Sequence, residues 1–228
     1  SNIMGFYRGP NIVTDGLVFA MDPGSERCYD GTTAVNSLVG SNTGTLTNGV
    51  TYQSINGGVF DFDGVNEYIA FPDDTNLNNQ TLTMESWIQL DSTLAQDAFI
   101  FEKGQVNTQY SNFIATNSYL YFRTQGLSTT DKTLNLASYT SAGLWTHITC
   151  TYGAGVKYIY INGVLRATQT GLTGTISTNT TGLFLGAYGP GSSYFMDGKI
   201  AVSRVYNKAL TQAEVTQNFN AQKSRFGL

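Results

Sequence analysis

Three carboxylates lie close together in residues 59–70, where Asp61 and Asp63 are followed by Glu67. Side chains repeat every second residue on a strand, so Asp61 and Asp63 are expected to share one face. A retaining glycosidase would need two carboxyl groups about 5 to 5.5 Å apart. However, Gly64 starts a turn that places Glu67 on a returning strand, and Asp63 is expected to accept hydrogen bonds from its own turn. We therefore predict a hairpin without a catalytic pair, and a chain that is not an enzyme.

His147 is the only histidine of the chain. It alternates with Ile148 and should face away from Ile148 and Cys150. A lone histidine cannot build a histidine-rich zinc site, and no Gly-x-Ser-x-Gly nucleophile elbow is present. We predict a structural role for His147, with its ring bonded within the sheet.

Aromatic side chains are abundant, with 14 Tyr and 13 Phe. Tyrosine rings combine an apolar face with a hydroxyl, which suits contact with sugars. Two segments that read as loops carry such rings beside small polar residues, namely residues 187–195 and 109–112. The predicted ligand-binding residues are Tyr188, Tyr194, Tyr110 and Asn112.

Short alternating segments between Gly, Asn and Thr turns predict an all-β protein. Residues 82–90 alternate strictly, with Leu82 and Met84 on one face and Trp87 on the other. Trp87 lies either on an open sheet face or under a second packed layer. Asn162-Gly163 predicts a type I′ hairpin over residues 157–166, and residues 59–70 read as a second hairpin. Residues 118–124 and 183–188 read as further strands.

One helix is predicted near the C-terminus. Thr211 and Glu214 have the spacing of a capping box, in which each side chain bonds the other's backbone N–H. Leu210 and Val215 occupy the positions of a hydrophobic staple, and Gly227 is expected to stop the segment.

The composition excludes two kinds of partner. Only 12% of residues are charged, the net charge is −4, and Lys and Arg are scattered, so we expect no nucleic-acid binding. Apolar runs are far shorter than the ~20 residues that cross a bilayer, so we expect no membrane insertion. Cys28 and Cys150 are either bridged or free. If they are free, we expect Cys150 to act as a small apolar residue of the core.

Five segments in order resemble the laminin G-like group of the concanavalin A-like lectin/glucanase superfamily. They are residues 59–69 (VFDFDGVNEYI), 82–90 (LTMESWIQL), 144–152 (LWTHITCTY), 158–163 (YIYING) and 198–211, which holds GKI and RVYNKALT. The resemblance implies a jelly-roll β-sandwich of two antiparallel sheets with a short C-terminal helix. We divide the chain into an N-terminal arm (1–14), the sandwich (15–210) and a C-terminal helix and tail (211–228).

The resemblance also bears on metal binding and catalysis. Such proteins often bind a structural Ca²⁺ through an Asp after the G-x-I segment, but Ala201 stands there in this chain. Asp22 and Asp197 remain weak candidates for a Ca²⁺ ligand. Glucanases of the superfamily carry a Glu-x-Asp-x-x-Glu strand, from which the Asp61, Asp63 and Glu67 spacing departs.

Residues 5–18 look like the start of laminin G-like proteins from bacteriophages. The resemblance implies a virion or extracellular adhesion module that recognises host surface carbohydrate without catalysis. The alternative is a purely structural virion component that contacts other virion proteins or forms a homo-oligomer through its tails. This alternative is motivated by apolar residues at both ends of the chain, namely Ile3, Met4, Phe6 and Tyr7 in the arm and Phe226 and Leu228 at the other end. A glycoside hydrolase is the minor alternative.

Overall fold

A computed structural model of the chain describes residues 11–104, 109–189, 191 and 193–228. Pro190 and Ser192 of the predicted ligand loop, and most of the predicted arm, lie outside the described residues. The described residues form sixteen strands in two antiparallel sheets and one α-helix. The all-β sandwich predicted from the sequence is confirmed.

The strands follow each other in chain order. They are β1 (Leu17–Met21), β2 (Ala34–Asn36), β3 (Thr43–Thr47), β4 (Thr51–Gln53), β5 (Val59–Asp63), β6 (Tyr68–Phe71), β7 (Leu82–Leu90), β8 (Ala98–Lys103), β9 (Tyr110–Ile114), β10 (Tyr119–Thr124), β11 (Asp131–Asn135), β12 (Thr146–Gly153), β13 (Val156–Ile161), β14 (Val164–Gln169), β15 (Leu183–Leu185) and β16 (Asp197–Tyr206). The helix α1 spans Gln212–Gln222, and a 3-10 helix (Lys223–Phe226) continues from it.

The two sheets pack face to face. The first has the order β14-β13-β12-β7-β16-β5-β4, with β1 also paired to β16. The second has the order β11-β10-β9-β8-β15-β6-β3-β2. Alternate residues of both sheets point inward and form one large core, which includes Phe60, Met84, Phe122 and Ile148.

The hairpin predicted over residues 157–166 is confirmed. Strands β13 and β14 pair, and Asn162 and Gly163 both have positive φ angles, 51° and 78°, as a type I′ turn requires. The hairpin predicted over residues 59–70 is wrong. Strand β5 pairs with β4 and β16 in the first sheet, whereas β6 pairs with β3 and β15 in the second. The turn at Gly64 takes the chain from the first sheet to the second. Phe62 on β5 and Phe71 on β6 therefore enter the core from opposite sheets.

The capping box of α1 is confirmed in both directions. The Thr211 hydroxyl accepts from the Glu214 backbone N–H, and the Glu214 carboxylate accepts from the Thr211 backbone N–H. Leu210 and Val215 are both buried in one small apolar cluster. Gly227 ends the 3-10 helix with a left-handed φ of 77°.

The C-terminal segment covers much of the outer face of the first sheet. Trp87 is fully buried, with Phe226 stacked on its ring at 4.2 Å and Phe219 at 5.7 Å between ring centroids. Trp145 closes the same cluster. Trp87 therefore lies under a second packed layer, and Phe226 contacts its own domain. Leu228, the last residue, is half exposed.

A buried charge network lies beneath α1. Glu85 contacts the ring of His147 (2.6 Å between Oε1 and Nε2), the guanidinium of Arg204 (3.2 Å) and the amide of Asn218 (2.9 Å). Burial alone would raise the pKa of the Glu85 carboxyl, but Arg204, His147 and Asn218 together lower that pKa to about 2. The predicted structural role of His147, bonded within the sheet, is confirmed.

The network extends to the first described residues of the chain. The Asn218 carbonyl accepts from the Val13 backbone N–H, and the Tyr206 hydroxyl donates to the Val13 carbonyl. Val13 is buried in the cluster that also holds Val215. The described end of the predicted arm therefore docks on the helix of its own chain.

Both cysteines are free thiols buried in the core. Burial raises the pKa of Cys28 to about 11 and that of Cys150 to about 12, so both stay protonated at neutral pH. Among the residues that the structure describes, no helix has the length and apolar character that crossing a bilayer would require.

We expect Glu85→Gln to lower the free energy of unfolding at pH 7 by about 3–5 kcal/mol, because it leaves the buried Arg204 guanidinium without its charge partner. The pKa of Glu85 is depressed in the folded state. Its stabilisation is therefore fully present above the unfolded pKa of about 4.5 and is lost as the pH falls towards 2. Urea unfolding between pH 2 and 7 measures both effects.

Glu26→Gln is the matched control, because Glu26 is exposed. We expect it to stay within about 0.5 kcal/mol of the unaltered protein. Equal stability of Glu85→Gln and the unaltered protein at pH 7 would contradict the role of the network.

Candidate functional site

The outer face of the second sheet carries a group of aromatic side chains. Strands β8, β9 and β10 lie side by side there, and alternation turns Phe99, Phe113 and Tyr121 away from the core. In the register of the sheet, Phe113 is the direct cross-strand neighbour of both Phe99 and Tyr121. We call this surface, completed by Tyr188 and Tyr194, the aromatic face.

The rings of the aromatic face form a continuous stack. Phe113 lies between Phe99 (4.4 Å between centroids) and Tyr121 (4.8 Å), with planes within 9° of parallel. Tyr194 continues the stack beyond Phe99 at 6.0 Å, and Tyr188 meets Phe99 nearly edge-on at 5.1 Å. Phe99 and Phe113 are buried by these neighbours, whereas Tyr194 is 44% exposed. The tyrosines therefore form the accessible part of the aromatic face.

A charged pair borders the stack. The Arg123 guanidinium lies over the Phe113 ring, 5.0 Å from its centroid, and bonds both Asp131 carboxylate oxygens at 2.9 and 3.0 Å. The hydrogen bonds that Arg123 donates to Asp131 raise the pKa of Arg123. Both side chains are 30% exposed, so donors and acceptors stand beside the rings at the surface.

The loop between β15 and β16 presents the two tyrosines. The Tyr188 N–H donates to the Ser193 carbonyl at 3.0 Å, which folds the loop back on itself. Tyr194 has a φ of 55°, a left-handed backbone that is rare for a bulky residue. Such strain persists where the surroundings hold it, and it concentrates at functional sites. The fold thus holds an exposed ring in a backbone conformation that is unfavourable for it.

The structure brings two of the four predicted ligand residues together. Tyr188 and Tyr194 lie 6.0 Å apart between ring centroids. Tyr110 and Asn112 are elsewhere, because residues 110–114 form strand β9 and the prediction of a loop there is wrong. Both side chains are fully buried: the Tyr110 hydroxyl donates to the Leu77 carbonyl, and the Asn112 carbonyl accepts from the Phe101 N–H. Neither can contact a ligand at the surface.

Four further residues belong to the site although the sequence did not single them out, namely Phe99, Phe113, Tyr121 and Arg123. A signal was present in residues 119–123, where Tyr119, Tyr121 and Arg123 alternate with the core residues Leu120 and Phe122. A strand whose outward row is aromatic marks an exposed ring surface. Its alignment with Phe113 and Phe99 depends on strand register, which the sequence alone does not supply.

The three carboxylates near the Gly64 turn are held by local bonds. Asp63 accepts from the Val65 and Asn66 N–H groups, as predicted, and Glu67 accepts from the Asp63 N–H. Asp61 faces Lys199 at 3.3 Å and accepts from Gln53. Burial raises the pKa of Glu67. Asp61 and Asp63 lie on β5 of the first sheet, and Glu67 directly precedes β6 of the second.

The candidate Ca²⁺ ligands do not fit a calcium site. Both oxygens of Asp22 are bonded by the guanidinium of Arg225, at 2.8 and 2.9 Å. Asp197 accepts from the Ser92 hydroxyl at 2.8 Å. Ca²⁺ needs six to eight oxygen ligands, several of them carboxylates. Within the described part of the chain, no three His, Cys, Asp or Glu side chains converge in a way that could hold a metal ion. Ala201 is buried in the Trp87 cluster.

The comparison with protein families confirms the resemblance seen in the sequence. Residues 63–216 match a laminin G family model described as the concanavalin A-like lectin/glucanases superfamily. The match covers more than half of the chain, which therefore belongs to this family. No curated protein matches the sequence.

Solved structures with the same fold include an enzyme and binding domains. The sialidase of Trypanosoma rangeli is 15% identical with a TM-score of 0.68, over 94% of this chain and 34% of the sialidase. Botulinum neurotoxin type C, whose cell entry depends upon interaction with two ganglioside molecules, is 17% identical with a TM-score of 0.70, over 91% of this chain and 51% of that chain. The receptor-binding domain of botulinum neurotoxin type G is 16% identical with a TM-score of 0.67, over 91% and 52%.

This chain spans about a third of the sialidase and about half of the toxin chains. At these identities the likeness shows the fold alone.

The left-handed backbone of Tyr194 predicts an order of stability among its variants. Both variants lose the ring contacts, but glycine accepts a positive φ without strain, whereas alanine keeps the strain. We expect Tyr194→Ala to be less stable than Tyr194→Gly by about 1 kcal/mol. Urea denaturation of the two variants measures the difference, and an alanine variant at least as stable as the glycine variant would contradict it.

Proposed function

We propose that this chain is a non-catalytic carbohydrate-binding module that contacts glycans through the aromatic face. The observation that carries the proposal is the pair of the half-buried Tyr188 and the exposed Tyr194, set at the end of a ring stack beside Arg123 and Asp131. Membership of a lectin/glucanase superfamily supports it. Neighbours in fold that contact sialic acid or gangliosides also support it.

The chemistry of the surface suits sugars. A pyranose ring has C–H faces that pack on aromatic rings, and its hydroxyl groups both donate and accept hydrogen bonds. The tyrosines offer ring area and hydroxyl groups, Arg123 offers donors, and Asp131 offers acceptors. Because Arg123 and Asp131 neutralise each other, this surface favours neutral hydroxyl-rich ligands over strongly charged ones.

The arrangement of carboxylates supports binding without hydrolysis. Asp61, Asp63 and Glu67 are engaged by Lys199 or by the backbone of their own turn. Asp61 and Asp63 lie on β5 of the first sheet, and Glu67 directly precedes β6 of the second. Carboxylates held by these bonds are not free to act as the acid and the nucleophile that glycoside hydrolysis requires.

We extend the proposal to the setting of the protein. The likeness of residues 5–18 to the start of bacteriophage laminin G-like proteins supports a place on a virion or another extracellular structure. There, a binding module of this kind would recognise carbohydrate on a host surface.

Glycan-array binding tests the proposal. We expect saturable binding to at least one bacterial surface glycan, and a loss of affinity of about tenfold or more in the double variant Tyr188→Ala/Tyr194→Ala. The reason is that each lost ring contact is worth about 0.5–1.5 kcal/mol.

Tyr52→Ala is the matched control, because Tyr52 has similar exposure (40%) but lies on β4 of the other sheet. It should bind glycans like the unaltered protein. A uniform absence of binding over bacterial glycans, or a loss in Tyr52→Ala alone, would argue against the aromatic face.

A second candidate function is assembly with protein partners, which edge strand β14 favours. Strand β14 ends the first sheet and exposes Val164 (47%) and Leu165 (39%). An edge strand with exposed apolar side chains can pair with a strand of another chain. This surface is a further contact, besides the tails, that would serve a structural virion component or a homo-oligomer.

Light scattering tests assembly through β14. We expect an oligomer for the unaltered protein if β14 pairs between copies, and a monomer for Val164→Lys/Leu165→Lys, since charged side chains block edge pairing. Glu26→Gln should leave the mass unchanged. A monomer for the unaltered protein at high concentration would exclude self-assembly by this strand.

A further inference from the structure

A second surface feature lies apart from the aromatic face, on the open side of the sandwich. Here the edge strand β4 of the first sheet precedes β5, and the turn after β1 packs over the core. A cleft of about 540 Å³ opens at this place, lined by Glu26, Tyr29, Asp30, Gly31 and Tyr52. None of these residues takes part in the proposed glycan surface.

Two tyrosines form the aromatic part of the cleft. The rings of Tyr29 and Tyr52 lie 5.2 Å apart between centroids with their planes inclined by 35°, so they form an open wedge. Phe60, a core residue, supports Tyr29 at 5.1 Å in an edge-to-face contact. Tyr29 is therefore fixed from behind, while Tyr52 is 40% exposed. The rings are available to a ligand without rearrangement of the core.

The cleft also carries negative charge without a counter-ion. Glu26 and Asp30 are exposed, and none of the ion pairs in the described part of the chain involves either of them. Arg27, between them in sequence, forms none of these pairs either. The Thr32 hydroxyl and backbone N–H bond one Asp30 oxygen and lower the pKa of Asp30, so this carboxylate is ionised at neutral pH. The rings are thus flanked by two negative charges.

This combination selects one chemical class of ligand. An anion would be repelled by Glu26 and Asp30, and a metal ion would find aromatic walls where it needs oxygen ligands. A neutral apolar group would gain nothing from the carboxylates. An alkylammonium cation uses both parts, since its positive charge is attracted to ring faces and carboxylates and its methyl or methylene groups pack on the rings.

We propose that the cleft of Tyr29 and Tyr52 binds an alkylammonium group. Two sources share this chemistry, namely a trimethylammonium headgroup of the choline type and the side chain of a lysine. The proposal does not depend on glycan binding at the aromatic face, because the two surfaces share no residue.

Amide NMR titration of the full chain tests the proposal, with choline and Nα-acetyl-lysine amide as probes. We expect saturable shifts at residues 26–31 and 52 for at least one probe, at millimolar concentrations typical of exposed cation–π contacts. Tighter binding of choline identifies a headgroup as the source, and tighter binding of the lysine probe identifies a protein side chain. Either order supports the proposal.

Variants and a neutral probe separate charge from shape. Tyr52→Ala should weaken binding about three- to tenfold. Glu26→Gln/Asp30→Asn, which keeps the Thr32 bonds, should weaken it by a similar factor and remove its dependence on salt. Tyr194→Ala should leave it unchanged. The neutral choline isostere 3,3-dimethylbutan-1-ol should bind at least about tenfold more weakly than choline. Equal binding of the isostere, or no saturable shift with either cation, would overturn the proposal.

Discussion

The position of the C-terminal helix depends on the buried carboxylate of Glu85. This carboxylate comes from the central strand β7, and its partners come from strands β12 and β16 and from α1. His147 and Arg204 both contact Oε1, so the helix residue Asn218 supplies the hydrogen bond to Oε2, and a buried carboxylate oxygen left without a partner is costly. The same register sets Phe219 and Phe226 over Trp87. The hydrogen bond from Asn218 to Glu85 is thus linked to the position of the apolar layer that Phe219 and Phe226 form over Trp87.

This layer decides which surface of the sandwich can meet a ligand. Each sheet has an inner face in the core and an outer face, and the helix layer closes much of the outer face of the first sheet. The loop that carries Tyr188 and Tyr194 covers part of the outer face of the second sheet, where both rings contact Phe99. Gly191 lets that loop lie close to the sheet, since an added Cβ would meet the Tyr68 ring at 2.1 Å. The loop helps to bury Phe99 and exposes Tyr194 in its place.

The sequence predicts best what local patterning determines. The capping box at Thr211 and Glu214 and the turn at Asn162-Gly163 depend on neighbouring residues, and both are confirmed. The error at residues 59–70 shows the limit, because a turn between two strands reads the same whether the strands pair or diverge into different sheets. Tyr110 was misread because a fully buried strand shows no polar alternation. The aromatic face needs cross-strand register, which joins Phe99, Phe113 and Tyr121, and a loop that brings Tyr194 to Phe99.

Besides Arg204, two lysine side chains bring positive charge inside this fold. The ammonium group of Lys103 is fully buried and is bonded by Asp73, the Asn179 side chain and the Thr181 carbonyl. These oxygens from separate loops surround one cation, as ligands surround a structural metal ion, but the cation is attached to strand β8. Lys157 is held likewise by the Thr130 carbonyl, and burial lowers its pKa to about 8. A covalently attached cation joins loops whatever the concentration of calcium around the protein. The oxygens of Asp73, Asn179 and Thr181 are therefore already bound to the Lys103 ammonium group.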